Sequence, residues 1–321
     1  MTSIYIKEMI TYTYMIPNTK PYPFGNVLSE VCDIWNGSND TFPGPQPSSI
    51  ERKHLKTLKN DYMVCDKTDG VRYAFVCCTV NDKKVACIVN RRLDAFIMKV
   101  RVPKACAKGT VLDGEVVTND QGKTIFLVYD CVAMCGVSTT TLPFTERMKH
   151  ADTFINQYKP NETDAVIFIK KTFFPLSRVE EFLIRKRNYV TDGVILIPNN
   201  AHVKTNTHLT YFKLKNGSEN TVDFALDCRG TMFLQQHGQL KKTINKITDG
   251  SSSHINFDVD GQIIDNVNCV IVECKFVTNK LWTLMLIRRD KNMPNSLYTY
   301  KKTLINITEN IQVEELVSIV T

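Results

Sequence analysis

Six short segments put charged side chains where a strand or strand end should be apolar. They are KTDGVR (67–72), LDGEVV (112–117), IFLVYD (125–130), TDGVIL (191–196), FKLKNGSENTVDF (212–224) and WTLMLIRRDKNMPN (282–295). These residue types suit phosphate chemistry. A lysine amine can attack phosphorus only as the free base, and an ordinary lysine pKa of about 10.4 leaves little of that form near neutrality. Nearby cations and partial burial enlarge the reactive fraction. Lys213 and Lys215 stand two apart, so on a strand both side chains emerge on one face, where two ammonium groups can clamp a phosphate. Carboxylates such as Glu115 and Asp192 offer hard oxygen ligands. Each segment alone is weak, because Asp-Gly is a common hairpin turn and Lys-x-Lys a common solvated strand face.

The elements that must position these groups can be read from the pattern. From Tyr62 to about Val132 the runs are short, β-branched and punctuated by turns, with a hairpin expected at VNDKK (80–84). Residues 36–48 are loop-like, and a helix follows, with Ser48 and Glu51 as its capping box. Helical spacing recurs near 144–158 and 177–188, the second opening on Ser177 and Glu180. Strands are expected at 194–197, 208–215 and 221–226, and a second group fills 223–300. ENIQVEELVSIV at the C-terminus reads as an amphipathic helix. A mixed α/β domain is therefore expected before a mostly β module, with the boundary near Lys215–Thr221 at the turn residues Asn216, Gly217 and Ser218.

Composition sets the class. The 321 residues suffice for one large domain or two ordinary ones, and 43% hydrophobic with 23% charged is typical of a globular chain. A formal net charge of +7 suits a polyanionic partner such as a nucleotide or RNA without requiring one. The 11 cysteines are scattered, with no repeated C-x-x-C and no histidine at zinc spacing, so free thiols in an intracellular, reducing compartment are expected. The N-terminus does not read as a signal peptide, and no apolar run is long enough to span a bilayer, so no membrane partner is expected.

Taken in order, the six segments resemble the motifs of the covalent nucleotidyltransferases, which include mRNA capping enzymes and ATP- or NAD-dependent ligases. The closest likeness is to the GTP-RNA guanylyltransferases, and among them to compact viral members. It extends from about residue 42 to the C-terminus. The resemblance implies an α+β fold. A nucleotidyltransferase domain with antiparallel sheets and flanking helices would occupy 1–220, completed by a C-terminal helix 304–321. An OB-fold β-barrel would occupy 221–303. By the same resemblance Lys67 is the nucleophile, presented by a tight turn at Gly70. Arg72 and Arg91 hold the ribose, Phe126 stacks on the base, and Lys171 bonds guanine O6, with Lys170 nearly as good a candidate. Lys213 and Lys215 clamp the α-phosphate. Glu115 and Asp192 hold Mg²⁺ or Mn²⁺. Asp223, in TVDF, and Arg288, Asp290 and Lys291 belong to the smaller module, with Arg288 and Lys291 meeting the β- and γ-phosphates when that module closes over GTP.

The reaction implied has two steps. Lys67 attacks the α-phosphorus of GTP and releases pyrophosphate, and the lysyl-GMP then passes to a 5′-diphosphate RNA end to give GpppN. No cysteine-phosphatase loop, paired Glu-x-Glu strands, methyl-donor loop or Walker motif is evident, so an RNA triphosphatase and a cap methyltransferase are expected on other chains. The viral likeness points to a viral protein acting in host cytoplasm or nucleus, or carried in the virion. Two rivals share the pattern: an ATP-dependent RNA or DNA ligase, and a catalytically inactive RNA-binding relative. The motif of residues 282–295 favours the capping enzymes over the ligases.

Overall fold

The β-branched run that begins at Tyr62 does form strands, and the chain divides them between two sheets. The computed structural model describes residues 4–6, 16, 19–58, 61–215, 220–248, 255–257, 261–278, 280–288 and 291–320. The chain separates into two units: Tyr14–Leu214 with Val313–Thr321, and Met1–Thr13 with Lys215–Gln312.

In the larger unit, an eight-stranded sheet runs Val137–Ser138, Thr124–Met134, Thr110–Thr118, Val71–Val80, Lys83–Asn90, Ala95–Met98 and Thr19–Tyr22, with Ile167–Lys170 parallel to Thr124–Met134. A five-stranded sheet runs Phe174–Pro175, Tyr62–Thr68, Thr191–Pro198, Asn206–Leu214 and Pro45–Ser49. The Asp69–Gly70 turn carries the chain from one sheet to the other, so Lys67 and Arg72 belong to different sheets although five residues apart. At VNDKK the expected hairpin forms, with Asn81 and Asp82 both at positive φ, the geometry that matches strand twist.

Alternation along Val71–Val80 builds two apolar layers. Phe75 and Cys77 pack with Leu112, Phe126 and the helix Phe144–Gln157 through Met148 and Phe154. Ala74 and Val76 pack with Val89, Val132 and the helix Phe24–Val31 through Val27 and Val31. Two expected caps differ. Ser48 lies in the strand Pro45–Ser49, and Glu51 caps the short helix Arg52–Leu55 reciprocally with His54. Near 177–188 a 3₁₀ turn, Leu176–Arg178, precedes the helix Val179–Ile184, which has no side-chain cap.

The smaller unit is a seven-stranded sheet ordered Gln239–Lys242, Met232–Gln236, Thr221–Asp227, Val267–Thr278, Leu281–Ile287 and Lys246–Ile247, with Gln262–Ile264 on Val267–Thr278. The expected mostly β character holds. Among the described residues, however, no pairing joins the two ends of that order into a barrel. Ile4–Ile6 pairs in parallel with Ile255–Phe257, so the chain's start belongs with this unit rather than with 1–220.

The C-terminal helix also differs from expectation. It spans Leu297–Glu309, starts where Ser296 accepts from the Thr299 N–H and ends at Asn310 in the left-handed region. Its Leu297, Tyr300, Leu304 and Ile307 pack on the core of the smaller unit around Phe224 and Trp282. Only Val313–Thr321, a 3₁₀ turn and a four-residue helix, joins the larger unit. All the cysteines are free and most are buried. Among the described residues no helix is long and apolar enough to cross a membrane.

Candidate active site

Both sheets of the larger unit contribute side chains to one cavity of about 250 Å³. Cys65, Lys67, Ile195, Ile197, Tyr211 and Lys213 come from the five-stranded sheet, and Arg72, Asp113, Glu115, Tyr129 and Asp130 from the eight-stranded one. Arg91, in the turn after Lys83–Asn90, and Lys171, just past Ile167–Lys170, complete the set of cations. Six residues expected from sequence thus meet here: Lys67, Arg72, Arg91, Glu115, Lys171 and Lys213.

Lys67 lies near the end of Tyr62–Thr68, and its Nζ donates to Asp192 Oδ1 at 2.7 Å and Oδ2 at 3.0 Å. Asp192 reaches it from a bulge. Thr191 pairs with Thr68 and Val194 with Asp66, and the register slips between them. Gly70 must be glycine, since a Cβ there would stand 2.5 Å from the Val116 carbonyl oxygen. Its N–H donates to Glu115 Oε1 at 3.3 Å. Glu115 also accepts from the Thr68 hydroxyl and from Lys171 Nζ at 3.5 Å. Burial pushes the Glu115 carboxyl above the usual range, and the Lys171 and Lys67 charges oppose that rise. Burial likewise raises the Cys65 thiol to about 12, so it is no nucleophile.

Arg72 donates to Asp113 through Nε and a terminal nitrogen, and to the Pro45 carbonyl oxygen at 2.8 Å. Its guanidinium lies 5.6 Å from the Tyr129 ring centroid, and Lys171 Nζ lies 5.4 Å from the same ring. Behind the wall, Arg147 donates to Asp130 through Nε at 2.7 Å and Nη2 at 2.8 Å, and to the Tyr211 hydroxyl at 3.1 Å. Asp113, Tyr129 and the Arg147–Asp130 pair carry the site but were not singled out from sequence. For Asp113, Tyr129 and Asp130 the sequence signal was the acid beside Gly114 and the Tyr-Asp pair ending IFLVYD.

Two expected placements differ. Phe126 is fully buried and does not line the cavity. It packs against Phe75 and Phe168 at centroid distances of 6.4 and 5.3 Å. The aromatic rings that line the cavity belong to Tyr129 and to Tyr211, whose hydroxyl is held by Arg147. A bulge explains the exchange: Gly114 pairs with Val128 and Asp113 with Asp130, so Tyr129 is skipped in the ladder. Lys215 lies beyond the last residue of Asn206–Leu214, so the alternation with Lys213 does not extend to it. Lys170 pairs with Asp152 at 2.5 Å, which leaves Lys171 as the cavity lysine. Asp290 lies outside the described residues. In the smaller unit Asp223 accepts from Arg288 at 3.2 Å and from Lys291, and Arg288 also donates to Glu273 at 3.1 Å.

The acids fit a hard divalent cation only with help. Among the described residues no group of three or more His, Cys, Asp or Glu could hold a metal by itself. Two carboxylates close to Lys67, Glu115 and Asp192, match the way Mg²⁺ is held by few protein oxygens with substrate phosphates completing its shell.

Comparison with known proteins accords with this geometry. Residues 10–217 match the family model described as mRNA capping enzyme, catalytic domain, and residues 206–317 match its C-terminal domain. A curated relative, mRNA-capping enzyme subunit alpha of Neurospora crassa, is 27% identical over 358 residues, covering 92% of this chain and 88% of that one. The protein of that name from Saccharomyces cerevisiae is 26% identical, covering 92% and 83%. An mRNA-capping enzyme of Caenorhabditis elegans is 26% identical, covering 89% of this chain and 50% of its own. These relatives are cellular and lend the expectation of a viral protein no support. The chain belongs to the mRNA capping enzyme family.

Proposed function

We propose that the cavity of the larger unit binds GTP and that Lys67 is the amine to which GMP becomes joined, in the guanylyl transfer that defines the family. One observation carries this reading: the Lys67 amine, oriented by Asp192, shares a cavity of about 250 Å³ with Arg72, Arg91, Lys171 and Lys213. Lys67 Nζ bonds to the α-phosphorus as the bond to pyrophosphate breaks, and the amine gives up a proton. Lys213 stabilises the charge that builds on the phosphoryl oxygens. Arg72 and Arg91 are assigned to the ribose and Lys171 to guanine O6. Tyr129 is assigned to the base face. Arg288 and Lys291 are assigned to the β- and γ-phosphates, with Asp223 holding both cations. Mg²⁺ or Mn²⁺ on Glu115 and Asp192 would neutralise phosphate charge. A 5′-diphosphate RNA end then displaces the lysine. An RNA triphosphatase and a cap methyltransferase on separate chains supply that end and finish the cap.

The test is labelling with α-³²P GTP or ATP. A protein–GMP adduct that is lost in Lys67→Ala is the expected result. Label from ATP alone would favour a ligase, and no label from either nucleotide would favour an inactive relative.

A further inference from the structure

We propose that Asp66, with Arg185 and Arg187, is a positioning device that fixes Lys67 against Asp192. The inference rests on Lys67 being the acceptor of GMP. Asp66 precedes the lysine, and alternation turns its side chain to the opposite face of the strand. It is 1% exposed, and two guanidiniums meet it: Arg187 Nε donates to Oδ1 at 2.9 Å, and Arg185 Nη2 donates to Oδ2. Both arginines are themselves tied to the end of the helix Val179–Ile184. Arg185 Nη1 donates to the Phe182 carbonyl oxygen at 2.8 Å. Arg187 donates to the same oxygen at 3.2 Å and to that of Leu183 at 3.2 Å. The Arg185 guanidinium lies 4.2 Å from the Phe182 ring centroid.

The need for such a device comes from the bulge. The ladder between the two strands is regular from Val194 onward, but Asp192 lies inside the slipped register, and Gly193 sits at φ 146°. Backbone pairing therefore does not by itself fix where the Asp192 carboxylate stands. Arg185 and Arg187 lie in the segment that feeds this bulge. Anchoring them on Asp66 ties that segment to the residue next to the nucleophile. One further bond, from the Asp69 N–H to the Val190 carbonyl oxygen at 3.2 Å, closes the frame on the other side. None of the three side chains lines the cavity, so their effect on the reaction passes through Lys67 and Asp192.

The readout is the single-turnover rate of adduct formation against GTP concentration, in the full chain. Wild-type labelling that is lost in Lys67→Ala first establishes that Lys67 takes GMP; failure there removes the functional reading and this inference with it, whereas the variants at Asp66 and Arg187 test this inference alone. In Asp66→Asn the maximal rate is expected to fall on the order of ten- to a hundred-fold, the scale of a misplaced reacting group, while half-saturating GTP stays within about two-fold. Arg187→Gln should do the same, and the double variant should lose no more than either single one, because they act as a unit. A folded Asp66→Asn that labels at the wild-type rate, or one whose rate and GTP binding weaken together, would overturn the proposal. Should Asp66→Asn fail to fold, Arg187→Lys, which keeps the charge but loses the fork, decides in the same two ways.

Discussion

Two ion pairs within the larger unit have the same chemistry and opposite settings. Lys67 and Asp192 meet at 2.7 Å with side chains 23% and 21% exposed, whereas Arg147 and Asp130 meet at 2.7 Å with side chains 0% and 5% exposed. The first faces the cavity on a bulge and involves a flexible ammonium. The second is a bidentate guanidinium whose other nitrogen reaches the Leu142 and Ala201 carbonyl oxygens. On the proposed function, a pair that must give up its amine to phosphorus has to be reachable and exchangeable. A pair that only shapes the wall behind it has to be neither. Their difference is thus a division between chemistry and scaffold.

The comparison predicts opposite responses to mutation. Lys67→Arg keeps a cation for Asp192 but removes the proposed nucleophile. Adduct labelling should vanish, while stability to urea changes by less than about 1 kcal/mol, since the pair is partly solvated. Substantial unfolding in this variant would move Lys67 to the scaffold side. Arg147→Met should do the reverse, costing about 3–5 kcal/mol because it strands a buried carboxylate, with adduct formation per folded molecule largely retained. Replacing both partners by apolar residues of similar volume should cost less than the single change.

Asp130 adds a pH signature. Burial raises its carboxyl above the ordinary value of 3.8, and the Arg147 charge only partly opposes this. Between that value and the raised one, the folded chain holds a proton that the unfolded chain has released. Stability therefore falls as pH rises through this window. Urea titrations of wild type and Asp130→Asn should diverge there, and parallel curves would show that burial does not govern this group.

A similar contrast separates two aromatic residues three apart. Phe126→Ala should cost about 3–5 kcal/mol of stability, as for any buried phenylalanine. Tyr129→Leu should instead raise the GTP concentration needed for half-maximal labelling, with a smaller effect on unfolding. If Phe126→Ala alone weakened GTP use at unchanged stability, the stacking role would return to it.

That pair also shows where the sequence is legible. The six cavity residues are legible through motif order, and for two of them the strand count helps: Arg72 and Glu115 pair in a regular ladder whose faces follow from counting by two, whereas Lys67 stands opposite the slipped register. Tyr129 is not legible, because a bulge breaks the count and has no local signature in IFLVYD. Gly114 did hold a clue, since a Cβ there would lie 2.1 Å from the Phe126 ring, which marks Phe126 as packed against backbone. The first turn of the helix Leu297–Glu309 falls within the strands expected over 223–300 and its last residues within the helix expected over 304–321, and packing on Phe224 and Trp282 joins them into one helix of the smaller unit. The ties of the chain's ends to units depend on contacts remote in sequence, which periodicity does not report.

A third ion pair marks the weak end of the series. Arg52 donates to Glu315 at 2.8 and 3.3 Å, joining the C-terminal segment to the short helix Arg52–Leu55, yet the side chains are 51% and 33% exposed. Its geometry is bidentate, as in the Arg147 pair, so it tests whether geometry or burial sets the strength. Water already solvates both groups before folding, and salt screens them afterwards. Fully buried Leu316 next to it gives the segment an apolar anchor that does not depend on the charge. Glu315→Gln should therefore shift urea unfolding by less than about 1 kcal/mol, with the shift shrinking in high salt, and should leave adduct formation unchanged. A loss comparable to that of Arg147→Met would mean that fork geometry, rather than exclusion of water, is what makes an arginine–carboxylate pair strong in this fold.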